Sequence, residues 1–312
     1  MKELERSTMK LTGLIAAPNA PMHGDGTLNL DVIPHYSEHL RRSGVSGVFV
    51  NGTTGESLSL SPQERLSLAE AWAKVCDDDL KLVVHVGDNA LPVSRELAAH
   101  AQRVGAVAIG AMPPSFFRPA AGAVADWCAA VAEAAPALPF YYYHIPSMTG
   151  VSIRMADLFP LAQRIPSFAG AKYTHEDLMD YQMAVEAEDG RFDVLFGRDE
   201  MLLSGLVCGA SGAVGSTYNY MAPVYLRIIE AYQKGDMDAA RRWQSRSHQL
   251  VRILQQSING IACGKAILNL CGVDVGPSRV PLPLYTRDEQ NRLRASLESI
   301  GFFRWCHGQD SI

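Results

Sequence analysis

Eight short apolar runs, each followed by a stretch that reads as a helix, limit what this chain can fold into more than any other feature. The runs lie at 11–17, 47–50, 82–86, 106–111, 140–143, 168–172, 192–196 and 212–215. Half are continuously apolar and the other four carry a single polar residue each, so none alternates strictly, as expected of strands buried on both faces. Strands that alternate with helices imply right-handed βαβ units and a parallel sheet. Eight such units close on themselves, so the expected fold is α/β, a (β/α)8 TIM barrel. A doubly wound open sheet is the alternative. The count of eight and the lack of a G-x-G-x-x-G after the first run disfavour it.

The stretch 61–75 carries a helix-start signal, with Ser61 as cap, Pro62 at the first helical position and Glu64 behind it. Beyond Gly215 the chain reads as helices at 223–233, 237–258, 264–270 and 287–300. The first completes the barrel. The expected organisation is a leader at 1–10, the barrel at 11–235, and a C-terminal helical extension at 236–312 packed on the barrel.

At 312 residues, with 47% hydrophobic and 20% charged, the chain can bury a large core. The net charge is −5 and no basic stripe is present, so nucleic acid is not an expected partner. Cys76, Cys128, Cys208, Cys263, Cys271 and Cys306 form no C-x-x-C and no zinc-ligand spacing with His. They read as free thiols, which points to a reducing cytoplasm and to no metal. No run is long enough for a membrane span, and the first ten residues are charged with no apolar signal core.

Catalytic groups of such a barrel sit at the C-terminal ends of strands and in the loops that follow. Applied to the seven lysines, that rule is selective. Lys2 and Lys10 are in the leader. Lys74 and Lys234 belong to helices with charged neighbours, Lys81 opens its strand, and Lys265 lies in the C-terminal helices. Only Lys172 closes an apolar strand. Desolvation there would disfavour the ammonium and supply the neutral amine that a Schiff base needs. A lysine snorkelling to the mouth, or paired with an acid, fits the same position.

Other polar clusters end other strands. Gly52, Thr53, Thr54, Gly55 and Glu56 follow the second and would make a compact anion cradle, or an ordinary capped turn. Tyr141, Tyr142, Tyr143 and His144 close the fifth. Alternation places Tyr141 and Tyr143 on one face and Tyr142 on the other, so one phenol at the mouth could relay a proton. Gly197, Arg198, Asp199 and Glu200 follow the seventh strand, and Ser216 and Thr217 the eighth. Acids there would bind sugar hydroxyls or cap a helix.

Gly52-Thr-Thr-Gly-Glu56, Tyr143-His-Ile-Pro146 and the strand-end Lys172, in this order and spacing, resemble the dihydrodipicolinate synthase / N-acetylneuraminate lyase family from about residue 11 to 303. Within it, Phe140 to Pro146, Phe196 to Glu200 and Gly212 to Asn219 are similar to the neuraminate-lyase branch. That branch implies a class I aldolase that splits a sialic acid into pyruvate and N-acetylmannosamine. It further implies that Lys172 forms the imine and Tyr143 moves the proton. Thr53 and Thr54 would hold the carboxylate, and Thr174, Gly197, Asp199, Glu200 and Ser216 the hydroxylated tail. No cofactor is implied, because the protonated imine is the electron sink, and the assembly implied is a homotetramer.

Two departures argue against the synthase branch. Met148 stands where synthases resemble an Arg that serves a second carboxylate, and a thioether makes no charge-assisted contact. Phe116 and Phe117 stand where synthases resemble a Tyr-Tyr pair, and a phenyl ring relays no proton. Asn19 departs from the family's usual Thr-Pro-Phe region, which bears on substrate selection or loop packing. The competing readings are another pyruvate aldolase of the family, acting on a keto-deoxy sugar acid or making dihydrodipicolinate, and a non-catalytic binding member.

Overall fold

The computed structural model describes residues 10–306. Eight strands close into a barrel in sequence order. They are β1 Gly13–Ala16, β2 Gly47–Val50, β3 Lys81–His85, β4 Ala108–Ala111, β5 Phe140–His144, β6 Phe168–Tyr173, β7 Asp193–Phe196 and β8 Gly212–Gly215. Every pairing is parallel, and β1 meets β8 with Gly13 opposite Gly212 and Ala16 opposite Gly215. Closure excludes the open sheet. All eight expected strands are present, with ends displaced by a residue or two. The first is shortened at its start because the Leu11 N–H donates to the Asp193 carboxylate at 2.8 Å instead of to a strand.

Alternate strand residues divide between two apolar layers. Ile15, Phe49, Val83, Ala108, Tyr141, Tyr143, Leu195 and Val214 fill the barrel interior. Leu14, Val48, Val84, Ile109, Tyr142 and Val194 face the surrounding helices. Tyr141 and Tyr143 thus share the interior and Tyr142 does not, as alternation requires.

In β6 the alternation breaks. Phe140 pairs with Phe168 but Tyr141 pairs with Gly170, so Ala169 is an extra residue in the ladder. Phe168, Ala171 and Tyr173 face outward while Ala169 faces inward. Strict alternation would put Lys172 on the same side as the outward Phe168. The bulge reverses the phase, and Lys172 turns inward opposite Tyr143. Gly170 permits the bulge, since a Cβ there would lie 1.9 Å from the Asp193 carbonyl oxygen.

The helix Pro62–Ala73 starts as its sequence predicts, with reciprocal Ser61 and Glu64 bonds forming a capping box. The helix Tyr218–Gln233 begins five residues before the Pro223 start read from the sequence. Met221 leaves helical geometry just ahead of Pro223, which tolerates the proline inside the element. The helices Met237–Gln256, Gly260–Leu270 and Arg287–Ser299 follow. The second starts earlier than expected because Asn259 Oδ1 accepts from the N–H groups of Ile261 and Ala262. A short helix, Phe302–Cys306, was not anticipated.

The post-barrel helices reach the mouth. Gln244 accepts from Leu203 N at 2.8 Å, and His248 donates to the Glu200 carbonyl at 2.8 Å. The leader expected at 1–10, with Lys2, lies outside the described residues except for Lys10, whose Nζ donates to the Gly190 carbonyl. All six cysteines are free; Cys128 and Cys263 are buried and the other four half-buried.

Candidate active site

Lys172, next to last in β6, lies inside the barrel mouth, 4% exposed, with Nζ 4.1 Å from the ring centroids of both Phe49 and Tyr143. Burial between two aromatic faces lowers the ammonium pKa to about 7, opposed by the nearby Asp199 carboxylate. A large fraction of the amine is therefore neutral near pH 7, as imine formation requires. The snorkelling alternative does not describe this side chain.

Tyr143 comes from β5, one strand away. Its oxygen lies 3.3 Å from the Thr53 hydroxyl. Burial pushes the phenol up to about 12, with the Thr53 and Thr174 hydroxyls pulling the other way. The phenol is thus protonated at neutral pH and suits passing a proton on rather than holding a charge.

The loop after β2 is shaped by two non-glycine residues in the left-handed region, Asn51 (φ 62°) and Glu56 (φ 57°). Asn51 is tied down twice, its amide donating to Arg65 O at 2.9 Å and its carbonyl accepting from His85 Nδ1 at 2.9 Å. Thr53 and Thr54 stay half-buried at the mouth. Asn19 donates to the Thr54 carbonyl at 3.3 Å, which places this departure from the family pattern against the loop.

On the opposite rim, Thr174 N–H donates to His144 O at 2.7 Å and Gly197 N–H to Tyr173 O at 2.8 Å, so the ends of β5, β6 and β7 are laced together. A Cβ on Gly197 would fall 2.1 Å from Thr174 Oγ1, so the close approach of these two residues needs glycine. The buried Asp199 carboxylate accepts from both the N–H (2.8 Å) and the hydroxyl (2.7 Å) of Thr217, rather than capping its own turn. Burial and the adjacent Glu200 raise its pKa to about 6. Glu200 pairs with Arg198 at 3.1 Å, and Ser216 is half-buried after β8. Lys172, Tyr143, Thr53, Thr54, Thr174, Gly197, Asp199, Glu200 and Ser216 therefore all follow or end barrel strands on one face.

Two members of the site escaped the sequence reading. Phe49 supplies the apolar wall under Lys172, and only its strand phase could have singled it out. His85 ends β3, and its ring lies 5.8 Å from that of Tyr143. Its Nδ1 donates to Asn51 O, so Nε2 accepts from Met112 N at 3.2 Å. Burial, Arg65 and Lys172 hold its pKa well below the usual imidazole value, so it stays neutral. A polar residue within an otherwise apolar strand run was the available signal.

Among the described residues, no group of three or more His, Cys, Asp or Glu side chains could hold a metal ion, and no helix is long and apolar enough to cross a membrane. A cavity of about 460 Å³ lined by His39, Arg42, Tyr220, Cys271 and Cys306 includes none of the mouth residues. It offers no amine facing a phenol, and we place the chemistry at the mouth.

Residues 10–300 match the model of the dihydrodipicolinate synthetase family. The chain is 43% identical to an N-acetylneuraminate lyase of Rattus norvegicus over 94% of this chain and 93% of that one. It superposes on the Proteus mirabilis N-acetylneuraminate lyase with a TM-score of 0.91 and 38% identity, covering 94% and 99% of the two chains. A catalytic-lysine mutant of the Ruminococcus gnavus sialic acid aldolase gives a TM-score of 0.89 at 31% identity, covering 96% and 98%.

Proposed function

Because this chain belongs to the dihydrodipicolinate synthetase family, we infer from its barrel mouth how it works as an N-acetylneuraminate lyase, a carbon–carbon lyase that releases pyruvate and N-acetylmannosamine. The observation that carries the reading is Lys172 Nζ lying 4.1 Å from the Tyr143 ring, inside the barrel and with its pKa lowered to about 7. A relative described as having a catalytic lysine supports an amine as nucleophile.

The neutral Lys172 amine attacks the C2 ketone of the open-chain sugar and water leaves, giving a protonated imine. The C3–C4 bond then breaks, its electron pair moving onto C3 and the imine nitrogen as an enamine. The C4 hydroxyl gives up its proton as the aldehyde forms. Tyr143, a neutral phenol, takes that proton while passing its own to the substrate carboxylate. Protonation of C3 and hydrolysis free pyruvate and the amine.

Thr53 and Thr54 hold the carboxylate, which aims C2 at the amine and the relay at C4. Thr174, Gly197, Asp199, Glu200 and Ser216 bind the hydroxylated tail. The imine is the electron sink, so Lys172 itself fills the place of a cofactor. The free cysteines fit a reducing compartment, and we assign the enzyme to the cytoplasm as a homotetramer. We treat 11–235 as barrel and the helices from 236 as its extension.

The test measures pyruvate release from N-acetylneuraminate beside condensation with aspartate semialdehyde. Release alone is expected; condensation alone would move the chain to the synthase reaction. Borohydride with pyruvate should leave a three-carbon adduct on Lys172 in the wild type and none in Lys172→Ala. Tyr143→Phe should still be trapped but turn over at least ~100-fold more slowly, the usual contribution of a positioned proton carrier. Unchanged turnover in Tyr143→Phe would remove the relay.

A further inference from the structure

We propose that the buried ion pair between Lys265 and Glu56 is a positioning device, through which the C-terminal helices hold the Gly52–Glu56 loop and hence the substrate carboxylate in register with Lys172. The proposal rests on the reading that this loop takes the carboxylate.

Lys265 lies in the helix Gly260–Leu270, far in sequence from the loop. Its Nζ is 2.7 Å from Glu56 Oε1, and the two side chains are 1% and 0% exposed. The same amine donates to the Pro277 carbonyl at 2.7 Å. Glu56 Oε2 accepts from the Arg279 N–H at 2.9 Å. The Arg279 side chain donates to Ser59 O at 2.8 Å, to Gly26 O, and to both oxygens of Glu64. Glu64 is in turn the capping-box residue of the next helix. One segment, 265–279, therefore fastens the loop at Glu56, at Ser59 and at the helix that follows.

The fastening continues into the site by hydrogen bonds. The Glu56 N–H donates to the Thr53 carbonyl at 3.0 Å, and the Thr53 hydroxyl lies 3.3 Å from the Tyr143 oxygen. Glu56 sits in the left-handed region at φ 57°, a conformation that a non-glycine residue keeps only where its surroundings impose it. Pairing also explains why a second lysine is buried in this protein. An unpaired charge there would be strongly unfavourable, whereas a paired one gives a fixed geometry. Lys265 and Glu56 touch no reacting atom and act through Thr53.

The test compares borohydride trapping on Lys172 by pyruvate, which has a carboxylate, and by acetone, which has none. In Glu56→Gln the half-saturating pyruvate concentration should rise about tenfold while that of acetone stays put, and KM should rise more than kcat falls. Equal changes for both ketones, or none, would overturn the proposal. A wild type with no preference for pyruvate over acetone would instead defeat the carboxylate reading itself. Should Glu56→Gln fail to fold, the apolar pair Glu56→Leu with Lys265→Met keeps the volume without a buried charge. It should be folded yet have lost the pyruvate preference. A retained preference would reduce the pair to a purely structural role.

Discussion

At the scale of single residues, the site works because two opposite demands on Lys172 are balanced. Phe49 and Tyr143 remove water and lower the amine's pKa to about 7, while the Asp199 carboxylate favours the cation and keeps the pKa from falling further. The rate of pyruvate trapping should therefore rise with pH through about 7, as the ammonium loses its proton. Asp199→Asn removes the one named group that stabilises the cation. The acid limb should then move to lower pH, even as the sugar binds less well for want of a carboxylate. The check is the pH dependence of borohydride trapping by pyruvate alone, which needs no tail contacts. A limb that stays in place or moves upward would show that Asp199 does not act on the amine. Lys172 was legible in the sequence because it alone closes an apolar strand. Its neighbour Phe49 was not, because an aromatic ring in a strand run reads as core until the barrel brings β2, β5 and β6 together; His85 was marked only by being the one polar residue in the run 82–86.

At the scale of elements, the feature that matters most is the irregularity in β6. Eight apolar runs and the capping box ahead of Pro62–Ala73 announce themselves, and Ser61, Pro62 and Glu64 do in the structure what their order implies. Period-two alternation, however, assigns Lys172 to the face of Phe168, which packs outward. Only the extra residue at Ala169 turns the lysine inward, and nothing local marks the bulge beyond Gly170. The reason Gly170 is required lies in another strand: its missing Cβ makes room for the Asp193 carbonyl. Gly170→Ala would meet backbone at 1.9 Å, which cannot swing aside as a side chain can. The substitution should cost roughly 1–3 kcal/mol of stability, the usual penalty for overpacking. It should also lower trapping on Lys172 more than an equally destabilising change elsewhere, for instance Ser61→Ala at the helix cap. Thermal melts and adduct yield on the two variants separate the effects. Equal trapping at equal stability would mean that the bulge does not control the lysine's direction.

At the scale of the whole molecule, the described chain leaves apolar surface that a monomer has reason to cover. Phe116 and Phe117 stand 83% and 86% exposed on the loop after β4, their rings packed edge to face at 5.3 Å. Phe116 and Arg118 both lie in the left-handed region, so the loop holds the rings outward instead of folding them back. Burying each phenyl ring would contribute roughly 1.5–3 kcal/mol. The homotetramer we propose gives these rings a place to go. Light scattering should accordingly report four times the 34.0 kDa chain mass. Phe116→Asp with Phe117→Asp should shift the population toward smaller species without altering the single-chain fold, since neither ring packs on the core. A double variant that stayed fully tetrameric would place these phenyls outside every interface. A wild type that ran as a monomer would remove the assembly itself. In either case Lys172 and Tyr143 would be untouched, because both are supplied by adjacent strands of one barrel.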